Sequence, residues 1–236
     1  MTIKGIFFDL DNTIWDFSAS SKKALEAVYQ KYLAGLGVDR EAWLISYRIH
    51  NEALWQAYRE GRESAENVKH LRFHHSFAQV GLEMRCSQSQ GVATFFLEAI
   101  VKNTVLFPLV GETLLRLKEH YMLGVITNGF AASLDRLNAL GLGGLFSVFV
   151  TAEEAGRPKP HQGIFIRAAN LAGFLPHQVI YVGDDYESDV VGAKAAGMGT
   201  VLFNHKHMDL SAAGDPPDYI IQDFSQLIEL LVPGAQ

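Results

Sequence analysis

From Tyr121 onward, short runs of β-branched and aromatic residues alternate with segments of helical apolar spacing, and this alternation leaves few folds open. "YMLGVITN" reads as a strand and "FAASLDRLNALG" as the helix after it. "FSVFVTAEE" and "QVIYVGDD" repeat the strand pattern, with helices over "HQGIFIRAANLAG" and "SDVVGAKAAG". "GTVLFN" and "PDYIIQ" complete the strands, and "FSQLIELLV" gives a last helix. This order predicts βαβ units and a parallel sheet. One more strand, "IKGIFF", stands at the start of the chain. Sheets of this kind bind ligands beyond the carboxyl ends of their strands. Asp9, Thr127 and Asp184 all fall at such predicted ends.

Residues 17 to 88 have a different texture. "SKKALEAVYQKYLAGLG", "DREAWLISYRIHNEALWQAYREG" and "ENVKHLRFHHSFAQVG" carry helical apolar spacing, separated by breaks that contain glycine. The pattern predicts a helical insertion over 17–88, with the sheet domain formed by 1–16 and 89–236. The helix over "GVATFFLEAIVKN" then leads back to the sheet near Pro108. With 236 residues, 48% hydrophobic and 19% charged, the chain can bury a substantial core. Its 20 basic and 26 acidic side chains give a net charge of −6, which argues against a nucleic-acid polymer or an acidic membrane surface as partner. The single cysteine, Cys86, cannot form an internal disulfide. No leader and no apolar run of membrane-spanning length is visible, so the expectation is a soluble cytoplasmic protein, monomer or homodimer.

The chemistry begins with "FFDLDNT", where two carboxylates, Asp9 and Asp11, follow a buried strand with one residue between them. Like charges held close raise one pKa and cost stability unless a cation joins them. A carboxylate pair at a strand end suits Mg²⁺, which takes a few carboxylates together with phosphate oxygens of a substrate. Thr127-Asn128-Gly129 offers a hydroxyl and backbone N–H groups to phosphate oxygens. Lys159 in "RPKPHQGIF" is a cation suited to offsetting charge on an anionic substrate. Asp184 and Asp189 in "GDDYESD" supply further carboxylates. Each signal is weak alone; all four in this order are strong.

Together "DLDNT", "ITNG", "KP" followed by "IF", and "VGDDYESDVVGAKAAGM" resemble the haloacid dehalogenase superfamily of hydrolases. The resemblance implies a Rossmann-like doubly wound parallel sheet with an inserted helical cap, and a small phosphate monoester as substrate. It makes Asp9 the nucleophile and Asp11 the general acid/base. Mg²⁺ would be held by Asp9, the Asp11 carbonyl and Asp184, with Asp189 behind them. Thr127, Asn128 and Lys159 would hold the phosphoryl group. Dehalogenases of the superfamily lack the second aspartate, so Asp11 favours phosphatase chemistry. Asp185 departs from the usual Ser or Thr. "NEALWQAYREG", "TNGF" and "TAEEAGRPKP" look like the pyrimidine 5'-nucleotidase branch, which implies nucleoside 5'-monophosphates as substrates. The alternatives are a sugar-phosphate or phosphoglycolate phosphatase, a phosphomutase, or a non-catalytic binding protein.

Several other residues have two readings. Trp55 and Tyr58, like Trp43 and Tyr47, either pack between insertion helices or stack on a nucleobase. His70, His74 and His75 have a spacing that zinc sites use, but no third ligand stands out and helical surface histidines are common. "NHKH" at 204–207 is expected at the surface, with the rim of the site as the alternative, and Trp15 and Asp16 either form the turn beneath the cap or serve in packing and at a helix start.

Overall fold

A computed structural model of the chain describes residues 2–211 and 213–234, which fall into two compact units. One comprises Met1–Asp16 and Leu106–Gln236, the other Phe17–Val105.

The first unit is built on six parallel strands: β1 Gly5–Phe8, β2 Met122–Thr127, β3 Phe146–Thr151, β4 Val179–Gly183, β5 Gly199–Phe203 and β6 Tyr219–Ile221. Their order across the sheet is β3-β2-β1-β4-β5-β6. β1 is central and buried along its whole length, as the unbroken apolar run "GIFF" requires of a strand covered on both faces. Phe7 and Phe8 point to opposite faces because strand side chains alternate. On one face Phe8 packs against Phe146 and Phe224. On the other Tyr181, in register with Phe7, packs edge-on against Phe165. The strand order reverses between β1 and β4, which is where doubly wound sheets open a crevice for ligands.

Ten α-helices are described. Those of the second unit are α1 Phe17–Tyr32, α2 Arg40–Arg59, α3 Ala65–Gln79 and α4 Cys86–Lys102; those of the sheet unit are α5 Val110–Lys118, α6 Ala132–Ala139, α7 Ala152–Ala155, α8 Gln162–Leu171, α9 Gly192–Ala195 and α10 Gln226–Leu231. No helix among the described residues is long and apolar enough to cross a membrane. The expected helix over "SDVVGAKAAG" is instead a π-helical turn, Tyr186–Val191, running into α9. The expected boundary at residue 88 also moves, because α4 packs on α1 and α3 and takes the helical unit to Val105.

Asp39 and Ser64 cap α2 and α3 by accepting from the backbone N–H of Ala42 and Asn67. Their inward faces, with α4, form an aromatic core of Trp43, Tyr47, Phe73, Phe77 and Phe96. Neighbouring rings such as Tyr47 and Phe73 lie 5.2 Å apart. Trp43 and Tyr47 therefore pack inside the unit and are not free to stack on a base. Trp43→Ala should lower the stability of this unit by about 3–5 kcal/mol, as emptying a core aromatic site does. Thermal unfolding measures it, and a loss well under 1 kcal/mol would mean that Trp43 does not anchor the core.

Candidate active site

The loop after β1 is shaped by its backbone. The Asp9 N–H still bonds to the Val182 carbonyl at 2.9 Å, so the carboxylate leaves the sheet at the β1–β4 reversal. Asn12 turns the chain at φ 63, a left-handed conformation that asparagine tolerates better than most residues. The turn closes with the Asn12 N–H on the Trp15 carbonyl at 2.8 Å and the Ile14 N–H on the Leu10 carbonyl at 2.9 Å. The Trp15 indole Nε1–H then donates to Asp11 Oδ1 at 2.6 Å. Arg136, from α6, places Nη1 3.5 Å from the same oxygen. Asp9 and Asp11 thus come from one loop but have different partners.

Lys159 is the hub of the site. Its ammonium, 3% exposed, donates to Asp9 Oδ1 at 2.7 Å, Asp189 Oδ1 at 2.6 Å and the Tyr181 hydroxyl at 2.9 Å. An ammonium has three donors, and here each has an acceptor. The Tyr181 hydroxyl in turn donates to the Ile126 carbonyl at 2.8 Å. The Asn128 side chain holds the Lys159 backbone from both sides, accepting from its N–H at 2.7 Å and donating to its carbonyl at 3.0 Å. Both polar ends of Asn128 are so engaged, and among the atoms of that residue the backbone is what remains for a phosphate. At the end of β2, Thr127 is buried, and its Oγ1 accepts from the Gly129 N–H at 2.9 Å.

Asp189 reaches the site because Gly183 has no side chain: a Cβ there would lie 2.2 Å from Asp189 Oδ2. That oxygen accepts from the Asp185 N–H at 3.0 Å. The Asp185 carboxylate accepts from the Ser188 N–H at 2.7 Å, capping the π-helical turn. Its negative charge is thereby used as an N-cap.

Asp9, Asp184 and Asp189 each offer a carboxylate oxygen within 4.8 Å of the others, the one group of this kind among the described residues that could hold a metal ion. Burial pushes Asp9 up to about 6, against the pull of Lys159. Burial, with Asp189 adding to it and Lys206 opposing, takes Asp184 up to about 6. Burial raises Asp189 to about 6 as well, again against Lys159. For the Lys159 ammonium burial pulls downward, but Asp189 and Asp9 outweigh it and hold the group well above its ordinary value. Burial also raises Asp11, with Arg136 and Trp15 opposing. Three carboxylates against one buried ammonium make an oxygen-rich, electron-rich pocket. That donor set fits a hard divalent cation such as Mg²⁺.

The structure thus brings Asp9, Lys159, Asp184 and Asp189 together at the carboxyl ends of the sheet, with Asp11 in the same loop as Asp9. Trp55 and Tyr58 lie on α2 in the helical unit, their rings 5.8 Å apart. His70 puts Nδ1 3.0 Å from the Glu66 carbonyl and Nε2 3.6 Å from Cys86 Sγ. Sequence reading missed Tyr181 and Arg136. Lys206 is exposed, as expected, and from there it also bonds Asp184 at 2.9 Å. Only its place directly after β5, beside β4, hinted at that.

A family model described as a haloacid dehalogenase-like hydrolase matches residues 3–197. The chain is 29% identical to pyrimidine 5'-nucleotidase YjjG of Escherichia coli K12, over 96% of each chain. It is 31% identical to the glyceraldehyde 3-phosphate phosphatase of Pyrococcus furiosus, over 97% of this chain and 93% of the relative. Its fold is that of the HAD-hydrolase YfnB of Bacillus subtilis, solved bound to magnesium, with a TM-score of 0.84 at 22% identity and coverage of 98% of this chain and 99% of the other.

Proposed function

Because this chain belongs to the haloacid dehalogenase-like hydrolases, we propose that it is a Mg²⁺-dependent phosphomonoesterase that works through an aspartyl-phosphate on Asp9. The observation that carries this reading is the division of labour between two neighbouring carboxylates. Asp9 lies on Lys159 inside the acidic group, whereas Asp11 is held by Trp15. Environments that separate two carboxylates in this way give them different chemical roles.

An Asp9 oxygen attacks phosphorus and the bond to the leaving oxygen breaks, while Asp11 hands that oxygen a proton. In the second step Asp11 takes a proton from water as the water attacks phosphorus. The bond to Asp9 then breaks and inorganic phosphate leaves. Thr127, the backbone of Asn128 and Gly129, and Lys159 hold the phosphoryl oxygens. Asp9, Asp184 and the Asp11 carbonyl would hold Mg²⁺, with Asp189 behind them, and the ion would supply Lewis acidity to those oxygens. A leaving alkoxide needs the proton that Asp11 supplies, which a halide does not. This favours phosphate esters over haloacids.

For the substrate we favour nucleoside 5'-monophosphates, pyrimidines ahead of purines, in keeping with the Escherichia coli relative. Discrimination among leaving groups we assign to the helical unit, with Trp55 and Tyr58 as the first residues to test. The archaeal relatives named for glyceraldehyde 3-phosphate support a second reading, a triose-phosphate phosphatase. Parallel kcat/KM measurements on nucleotides, glyceraldehyde 3-phosphate and phosphoglycolate, with Mg²⁺ and with chelator, decide. A sugar phosphate or phosphoglycolate ahead of every nucleotide would overturn the nucleotidase reading and leave the phosphatase intact.

Lys206 has a consequence for metal affinity. Its side chain is 44% exposed and pairs with Asp184, a proposed ligand, so a metal ion must displace it. Half-exposed ion pairs are worth up to about 1 kcal/mol, so Lys206→Met should tighten Mg²⁺ binding about threefold to fivefold. Calorimetric titration of the variant reads this directly. Unchanged or weaker binding would show that Lys206 does not compete with the ion.

A further inference from the structure

The second carboxylate of the site, Asp11, is gripped on one side only. Its Oδ1 accepts the Trp15 indole N–H at 2.6 Å and lies 3.5 Å from Arg136 Nη1. The guanidinium carbon of Arg136 sits 4.1 Å from the centre of the Trp15 ring, so the two gripping groups also stack on each other. Trp15 and Arg136 are both buried, and they come from parts of the chain 121 positions apart, 136 − 15. The other oxygen, Oδ2, faces the loop after β2: it lies 3.6 Å from the point a Cβ on Gly129 would occupy. Thr127 and the Asn128 and Gly129 backbone, to which the phosphoryl group is assigned, stand there.

We propose that Trp15 and Arg136 are positioning residues for proton transfer, holding Asp11 through Oδ1 so that Oδ2 alone meets the leaving-group oxygen and, later, the attacking water. The inference rests on the phosphatase reading above and extends it to two buried residues that act through Asp11. The physical need is plain. The terminal torsion of an aspartate is broad and roughly two-fold, so an ungripped carboxylate samples many orientations. Misplacing a reacting group by about 1 Å can cost on the order of 10²-fold in rate. One N–H bond fixes the position of Oδ1. A planar cation stacked on the donor ring fixes the ring in turn, which a lysine at position 136 could not do as well.

A purely structural role is the competing account, with Arg136 merely tying α6 to the β1 loop. The leaving group separates the two. Proton donation matters most when the leaving oxygen is a poor one, and little when it departs as a stable anion. Trp15→Phe removes the N–H while keeping a ring in the core, and Arg136→Met removes the cation while keeping apolar length. For each, kcat/KM is measured on an alkyl phosphate and on 2,4-dinitrophenyl phosphate, with thermal unfolding as a check on folding and Asp11→Asn as the reference. Both variants should lose about 10- to 100-fold on the alkyl phosphate and less than about threefold on the aryl one, following Asp11→Asn in pattern with a smaller amplitude. Equal losses on both substrates, or no loss on either, would overturn the positioning role, and Trp15→Phe decides alone if Arg136→Met fails to fold. A wild-type protein that hydrolysed neither ester would overturn the phosphatase reading and this assignment with it. An active wild type with flat losses would overturn this assignment alone.

Discussion

Asp9→Asn should lower turnover of every phosphate ester by roughly 10⁴-fold or more, because an amide cannot form the acyl-phosphate bond on which the second step depends. The fold should survive the change. Burial holds the Asp9 carboxyl at about 6, so its charge at neutral pH is a cost to the folded state, and a neutral amide of the same shape removes it. The variant should therefore unfold at or above the wild-type temperature in metal-free buffer while forming no phosphoenzyme. Intact-mass measurement after rapid acid quench detects the phosphorylated species in the wild type. Residual activity within tenfold of wild type, on any ester, would remove Asp9 from the nucleophile's role.

Metal removal should have an equally large effect on activity and a second effect on stability. Lewis-acid assistance to a phosphoryl group is worth several kcal/mol, so excess chelator should reduce hydrolysis by about 10³-fold or more. The stability effect has a definite sign. Asp9, Asp184 and Asp189 are each raised from 3.8 to about 6 in the folded protein. Groups raised in this way favour folding most fully below the unfolded value, and that contribution is lost as pH rises through the folded value. Metal-free protein should thus lose stability as pH rises from about 4 through about 6. Mg²⁺ at 100 times its Kd returns about 2.7 kcal/mol. The rise in Tm on adding Mg²⁺ should accordingly be larger at pH 7.5 than at pH 4.5. Full activity in chelator would refute the metal requirement, and a Tm shift equal at both pH values would refute the electrostatic account of it.

What was legible in the sequence follows from how strands end. Asp9, Thr127 and Asp184 stand directly after or at the end of apolar runs, and in a parallel sheet those ends converge whatever the side chains do. Lys159 was legible from motif order. The contacts of Arg136 were not: α6 is amphipathic like many helices, and nothing local says that one of its cations meets a carboxylate 125 residues away. Lys206 is similar, a lysine in a polar loop until β4 and β5 are placed side by side. The π-helical turn is hidden for another reason. One widened turn hardly alters apolar spacing, so "SDVVGAKAAG" reads as an ordinary helix. The same limit explains the boundary near residue 105. Apolar periodicity in "GVATFFLEAIVKN" announces a buried face, but not that α1 and α3 are what cover it.

The bridge between Trp15 and Leu106 bears on how such a chain can be rebuilt. These two residues pair in antiparallel fashion, and the Phe107 N–H bonds to the Ile14 carbonyl at 3.2 Å. The outgoing and returning segments of the sheet unit therefore already run side by side, as the two arms of a hairpin do. A tight turn of two residues is enough to join such arms. Deleting 17–105 across that junction would cut no strand of the sheet and would leave Asp9, Lys159, Asp184 and Asp189 in one continuous scaffold. The junction is a socket: helical inserts of other lengths and surfaces can be spliced into it without rewriting the sheet unit, so that the insert becomes an exchangeable part.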